Sequence, residues 1–343
     1  MDDGLSYSAT GVDIDTTDAA KRRMADAVDS GDPRVLNQLG AFSSLVEGSF
    51  PTFADPVLVL KTDEPGSKQK LAFELDRVES LCEDLVNHLL NDVAVMAAHP
   101  QYVLDCIVCG QLDGDIVERL VAGMATACRA QEAVLVGGET SVQPGVVPAG
   151  LYVLSATAVG IAERAAVCDG SRIRPGDAVL AVASNGLHTN GYSLARKLFF
   201  EVAGYKHTQY VTAIREKAGA ALMRTHRSYL HVIQKLVTAG VTTGMAHITG
   251  GGITENLPRI LPKNIGAQIE IGSWPVLPIF EHLRELGQVS QDEMMRTFNM
   301  GIGLIAAIPA AKFARAKNLL DRAEEKFYVI GRVVKGERRV QYT

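Results

Sequence analysis

At 343 residues the chain exceeds what one hydrophobic core usually serves, which predicts two domains. Apolar residues make up 47% and charged residues 21%, an ordinary globular balance, and a formal charge of −5 argues against a general nucleic-acid or membrane-surface binder. The acidic, polar start MDDGLSYSAT is no secretory signal, and no apolar run reaches the roughly 20 residues of a membrane span, so a soluble, cytoplasmic chain is expected.

Residues 1–56 are mixed, with an amphipathic stretch near 18–28 and the small-residue loop LGAFSSLVEGS. From 57 the pattern is regular. It predicts a strand to about 62, a helix over 68–98, a strand over 102–110, a helix over 115–129, and strands over 133–137 and 151–161. Gly-containing turns between Cys168 and Pro175 mark a boundary, giving domains 1–169 and 170–343. Beyond it come an apolar strand, a helix from Tyr192, a helix ending near Ala239, and strands near 267–271, 302–308 and 327–334. Alternating strands and helices predict an α/β or α+β layer fold. Of the five cysteines, Cys106 and Cys109 lie three apart in the strand YVLDCIVCG and face opposite ways, so they should share neither a metal nor a disulfide.

Several stretches can carry chemistry. KTDEPGSKQK, Lys61 to Lys70, sits where a strand hands over to a helix and sets Gly66, Ser67 and Lys68 together, as an anion site would, yet it lacks the spacing of a Walker loop. The helix SLCEDLVNHLLNDVAVMAA lines up Asp84, His88 and Asn91 or Asp92, a polar stripe that fits either a solvated face or the border of a cleft. Asp84 and Asp92 lie about 12 Å apart along the axis and cannot share one metal. LVGGETSVQPG ends a strand in Gly137-Gly138-Glu139-Thr140, either a tight turn or bare backbone beside an acid. Asp63, Asp92 and Glu139 are oxygen donors that would suit a hard cation such as Mg²⁺. SNGLHTNG offers His188, Thr189 and Asn190 in a loop, and HITGGGITEN offers consecutive unobstructed amides at Gly250, Gly251 and Gly252.

The order of these motifs carries more than any one of them. GVDID, Thr62-Asp63 with Gly66-Ser67-Lys68, DLVNHLLND, LVGGET, HTNGYSLARK, HITGGGITENLPRILP and MRTFNMGIG resemble, over nearly the whole chain, the phosphoribosylformylglycinamidine cyclo-ligase (aminoimidazole ribonucleotide synthetase) family. The resemblance implies an N-terminal α/β domain that pairs across a homodimer into a β-barrel, and a C-terminal α/β domain packed against it. It implies ATP and Mg²⁺ as cofactors and formylglycinamidine ribonucleotide as substrate. It also implies roles: Asp63, Lys68 and His188 in catalysis; Asp63, Gly66, Ser67, Lys68, Asp92, Glu139 and Thr140 at the nucleotide; Asp63, Asp92 and Glu139 at the metal; and His188, Asn190, His247, Thr249, Gly250, Gly251 and Gly252 at the substrate.

The departures fall in the first half. Where the family usually writes Asp-Gly-Val-Gly-Thr-Lys, this chain has Asp63-Glu64-Pro65-Gly66-Ser67-Lys68, and Val142 replaces a second acid after Glu139. A Lys common in the family near Ala25 is absent, and a basic run is replaced by VDSGDP. Three readings follow: the cyclo-ligase with a modified ATP side, an ATP-dependent relative acting on another amide or carbonyl oxygen, and a non-catalytic dimeric paralogue.

Overall fold

A computed structural model describes residues 23–24, 28, 31–37 and 41–343. The GVDID segment, Ala25 and most of the amphipathic stretch lie outside them.

The first layer contains β1 (Pro56–Asp63), α1 (Lys68–Glu74), α2 (Val78–Ala94), β2 (His99–Cys109), α3 (Gly114–Arg129), β3 (Val134–Val142) and β4 (Tyr152–Glu163). The single helix expected over 68–98 is two helices. Asp76 between them has a φ of 51°, a left-handed conformation that short polar side chains tolerate, and it turns the chain. The Asp113 carboxylate caps α3 by accepting from the Asp115 and Ile116 amides.

The four strands run in the order β1-β4-β2-β3, with β2 and β3 parallel and the other pairs antiparallel. In this register Asp63 lies beside Ala156, Ala156 beside Asp105, and Asp105 beside Gly138, forming one row across the sheet. Because strand side chains alternate, Val57, Val59, Lys61 and Asp63 face inward while Leu58, Leu60 and Thr62 face out. The inner face is covered by α2, which also packs on α3. The sheet's outer face is partly covered by Val35, Val46 and Phe50, which pack on Tyr102, Val134 and Val136, while among the described residues Leu58, Leu60, Leu104 and Val153 stay exposed.

The second layer contains β5 (Ala178–Ala183), α4 (Tyr192–Arg196), β6 (Tyr210–Val211), β7 (Glu216–Lys217), α5 (Ala218–Leu222), α6 (Leu230–Thr238), β8 (Gly244–His247), α7 (Gly252–Asn256), β9 (Ile265–Ile269), α8 (Pro278–Gly287), α9 (Gln291–Thr297), β10 (Ile302–Ile308), α10 (Phe313–Arg322), β11 (Phe327–Lys335) and β12 (Val340–Tyr342). Six of its strands form one sheet, β12-β9-β11-β5-β10-β8, antiparallel except for β12 on β9. Helices α6 and α10 close one face over Leu180, Val182, Leu304 and Ala306, and Ala94, Val95 and Ala97 from the first layer join that same cluster. All five cysteines are free; Cys109 is buried while Cys106 is half-exposed, as their opposite facing requires.

Candidate functional site

The polar stripe of α2 is neither a solvated face nor an open cleft wall. It is the seam between the layers, and it grips the backbone of residues 225–229. Asp84 accepts from the His226 amide at 2.6 Å, Asn87 donates to the His226 carbonyl at 2.7 Å, and Asn91 accepts from the Tyr229 amide at 2.7 Å while donating to the Arg227 carbonyl at 2.9 Å. A buried stripe of this kind is stable only because each polar atom finds a partner.

Lys68 belongs to the same seam. Its ammonium is fully buried, 2.8 Å from Asp84 Oδ1, and it donates to the Arg224 carbonyl at 2.7 Å and the His188 carbonyl at 3.2 Å. Burial pulls its pKa down against the pull of Asp84, and burial likewise pushes the Asp84 carboxyl up, to about 6. The side chain expected as a phosphate countercharge is therefore spent on joining β1's exit turn to the second layer. Gly66 supports the same contact: its φ is 63°, and a Cβ there would meet the Thr189 carbonyl at 3.0 Å.

Above this strut lies a closed ring of polar contacts. Asp92 Oδ1 accepts from His247 Nδ1 at 2.7 Å, and His247 Nε2 lies 2.9 Å from His226 Nε2. His226 Nδ1 lies 3.2 Å from the Thr189 hydroxyl, which is 2.8 Å from His88 Nδ1. His88 Nε2 faces Asp63 Oδ2 at 3.3 Å. Lys61 Nζ closes the ring, 3.1 Å from Asp63 Oδ2 and 2.9 Å from Asp92 Oδ2. Asp63, His88, Asp92 and Lys61 come from the first layer; Thr189, His226 and His247 come from the second.

The ring sets the charges of its members. Burial alone would raise the Asp63 carboxyl, but the His88 hydrogen bond and its neighbours bring it down to about 2. Burial opposes Asp92 too and is outweighed by His247, which holds that carboxyl well below the usual range. Burial lowers His226 and His188 well below the ordinary histidine value and also lowers His247, against the pull of Asp92. His188 is only 1% exposed, stacks on His226 with centroids 4.1 Å apart, and has no hydrogen-bond partner for either ring nitrogen among the described residues. Its ring is buried in the seam between the layers.

The three acids expected at a metal do not converge within the chain. Gly138 and Asp63 occupy opposite edges of one sheet row, three strand spacings or roughly 14 Å apart. Glu139 and Thr140 follow Gly138 on that far edge, and Glu139 is exposed. Asp63 and Asp92 do approach each other, but the space between them holds the Lys61 ammonium. The residues present thus do not fit one Mg²⁺ bound by all three acids. Asp105, midway along the row, was not singled out from the sequence. Burial pushes its carboxyl up to about 7, and its Oδ1 sits 1.9 Å from where a Cβ on residue 138 would lie, so only glycine fits there.

The two second-layer loops meet. An ideal Cβ on Gly250 would lie 3.2 Å from Asn190 Oδ1. Asn256 Nδ2 donates to the carbonyls of Thr249, Gly250 and Gly252 and so shapes the loop, while the Gly250 and Gly251 amides have no partner among the described residues. Asn190, Thr249 and the three glycines are thereby assembled as one polar rim, while His247, on the strand just before, points into the ring. Lys61, His226 and Asp105 are the site residues that sequence reading missed. Lys61 stood in the stretch KTDEPGSKQK, and a lone acid in the apolar run Val103-Leu104-Asp105-Cys106-Ile107 was a signal; His226 offered none.

These two layers, joined by a buried seam, define the class described as AIR synthase related protein. Its N-terminal domain model matches residues 52–162 and its C-terminal domain model residues 174–342. The chain belongs to the phosphoribosylformylglycinamidine cyclo-ligase family: it is 38% identical over 337 residues to the enzyme of that name from Alkaliphilus oremlandii, covering 98% of this chain and 99% of that protein. It is 43% identical over 332 residues to the one from Methylobacillus flagellatus, covering 96% and 94%. Among solved structures it resembles the thiamine-monophosphate kinase of Stenotrophomonas maltophilia, with a TM-score of 0.68 at 19% identity over 95% of this chain and 94% of that one. It also resembles the hydrogenase maturation protein HypE solved in complex with ATP, with a TM-score of 0.65 at 20% identity over 93% and 88%. These structural likenesses concern the fold.

Proposed function

We propose that the chain closes the imidazole ring of formylglycinamidine ribonucleotide, consuming ATP and giving aminoimidazole ribonucleotide, ADP and phosphate in de novo purine synthesis. The observation that carries this is near-full-length identity of 38–43% to curated cyclo-ligases. In this reading the γ-phosphoryl group passes to the formyl amide oxygen, making it a good leaving group. The amidine nitrogen then attacks that carbon, loses its proton, and phosphate departs. Catalysis is mostly positioning and electrostatics.

The polar rim of Asn190, Thr249, Gly250 and Gly251 would hold the ribonucleotide, its bare amides suiting a phosphate. The turn Asp63 to Ser67, with Asp92, Glu139 and Thr140, would form the nucleotide side. Mg²⁺ would arrive on the phosphates of ATP. Lys68 and His188 act as buried positioning residues. Two copies would pair through the outer face of the four-stranded sheet, where Leu58 and Leu60 are 62% and 65% exposed, closing a barrel. The reading assigns the homodimer to the cytoplasm, with no nucleic-acid or membrane partner.

Incubating purified protein with ATP and formylglycinamidine ribonucleotide, and following ADP and aminoimidazole ribonucleotide together, tests it. Equal yields of both are expected. Binding of ATP without turnover would instead favour the paralogue reading, to which the burial of Lys68 lends support.

A further inference from the structure

We infer that Lys61 is a built-in cation that takes the place of a divalent ion between Asp63 and Asp92 and presents its remaining N–H to the phosphoryl oxygens of the nucleotide. The inference rests on the proposed ATP reading for its second half only. Two inward carboxylates, from the end of β1 and from α2, converge on one ammonium at 3.1 and 2.9 Å. That bridging position, between single oxygens of two acids, is where a hard cation would sit.

The charge balance supports the substitution. Lys61 is raised in pKa: burial would lower it, and Asp92 and Asp63 more than offset that, so it stays an ammonium. The outer oxygens of both acids are already spent, Asp63 Oδ1 on the Glu64 amide and Asp92 Oδ1 on His247. A divalent ion entering here would have to expel Lys61 against its own two contacts. An ammonium has three N–H donors, and two suffice for its ion pairs with the acids. The third has no partner among the described residues, and the side chain is 32% exposed, which leaves that donor open to an anion. Lys68, two residues beyond Gly66, is sealed in the seam, so Lys61, paired with both acids, is the cation beside Asp63 and Asp92 that a phosphate can meet.

Mn²⁺ retention by nucleotide-free protein, read by electron paramagnetic resonance, tests the first half without reference to turnover. Wild type should show only weak Mn²⁺ binding that Asp92→Asn leaves unchanged. Lys61→Met should gain a site at least tenfold tighter, and Lys61→Met with Asp92→Asn should lose it. A wild-type Mn²⁺ site that Asp92→Asn abolishes overturns the inference, and so does a folded Lys61→Met protein that gains nothing; if that variant does not fold, the wild-type comparison decides alone. For the second half, ATP binding in excess EDTA should weaken at least tenfold in Lys61→Met and less in Lys61→Arg. Equal affinity in wild type and Lys61→Met overturns that half. Wild type that binds no ATP with or without Mg²⁺ overturns it together with the functional reading, while leaving the Mn²⁺ result standing.

Discussion

His247, at the end of β8 in the second layer, donates its Nδ1–H to Asp92 on α2 of the first at 2.7 Å. The bond fixes which nitrogen carries the hydrogen and aims Nε2 at His226, so a single carboxylate orients two imidazoles in sequence. Asp92→Asn presents an amide in place of that acceptor. Turnover is expected to fall by at least tenfold with little change in melting temperature. A variant that instead keeps wild-type kcat would separate the ring from the chemistry.

Lys68→Met should act on the fold. It leaves the Asp84 carboxylate buried opposite an apolar side chain, a loss that costs about 3–5 kcal/mol when one partner of a buried pair is removed. Adding Asp84→Leu removes the orphaned charge and should restore part of that stability. Urea denaturation of the three proteins checks this; a Lys68→Met protein of wild-type stability with a raised KM for ATP would return Lys68 to the phosphate.

The buried histidines predict acid sensitivity. His188 and His226 have folded-state pKa values below their unfolded values, so the unfolded chain binds more protons and stability is lost as pH falls below about 6.5, by up to ~1.4 kcal/mol per pH unit for each. Asp84, raised to about 6, opposes this between its unfolded value and pH 6. Melting temperature is expected to drop from pH 7 to pH 5.5, and His226→Asn should flatten the slope. An unchanged slope in that variant would assign the sensitivity elsewhere.

Two glycines of one loop, Gly250 and Gly252, should behave differently. Gly252→Ala forces a side chain onto a φ of 57° and within 2.1 Å of the Met295 carbonyl, so it should cost at least ~2 kcal/mol. Gly250 is exposed and meets only Asn190, so Gly250→Ala should stay within about 0.5 kcal/mol of wild type while raising KM for the ribonucleotide. Calorimetry beside steady-state kinetics separates the two effects.

The outer sheet face makes an assembly prediction. Leu58→Glu with Leu60→Lys places charges on an exposed apolar surface that a partner would bury. Sedimentation should show dimer for wild type and monomer for the variant; monomeric wild type at micromolar concentration would remove the barrel pairing.

How much of this was legible in the sequence depended on range. β10 was read at its observed bounds because Ile302 to Ile308 is an unbroken apolar run, and α3 to within a residue because Asp113 caps it. The break at Asp76 was missed because a left-handed residue other than glycine leaves no compositional mark. The seam was half visible. Periodicity showed that Asp84, His88 and Asn91 share one side of α2, but what they face is residues 225–229, more than 130 positions away along the chain. Local pattern carries no information about such pairings. The burial of Lys68 was illegible for the same reason: a lysine after a glycine and a serine looks alike whether its ammonium turns outward or into a buried acid.

Counted in hydrogens, the ring has a further property. Five contacts run from Asp92 through His247, His226, Thr189 and His88 to Asp63, and three neutral imidazoles with one hydroxyl supply one hydrogen fewer than that. All five are satisfied together only when the circuit takes up one more hydrogen. Parting the layers breaks the contacts between Asp92 and His247 and between Thr189 and His88 together, because both cross the same seam, so the circuit opens as a unit and the spacing of the layers is tied to a closed loop of polar contacts as well as to packing.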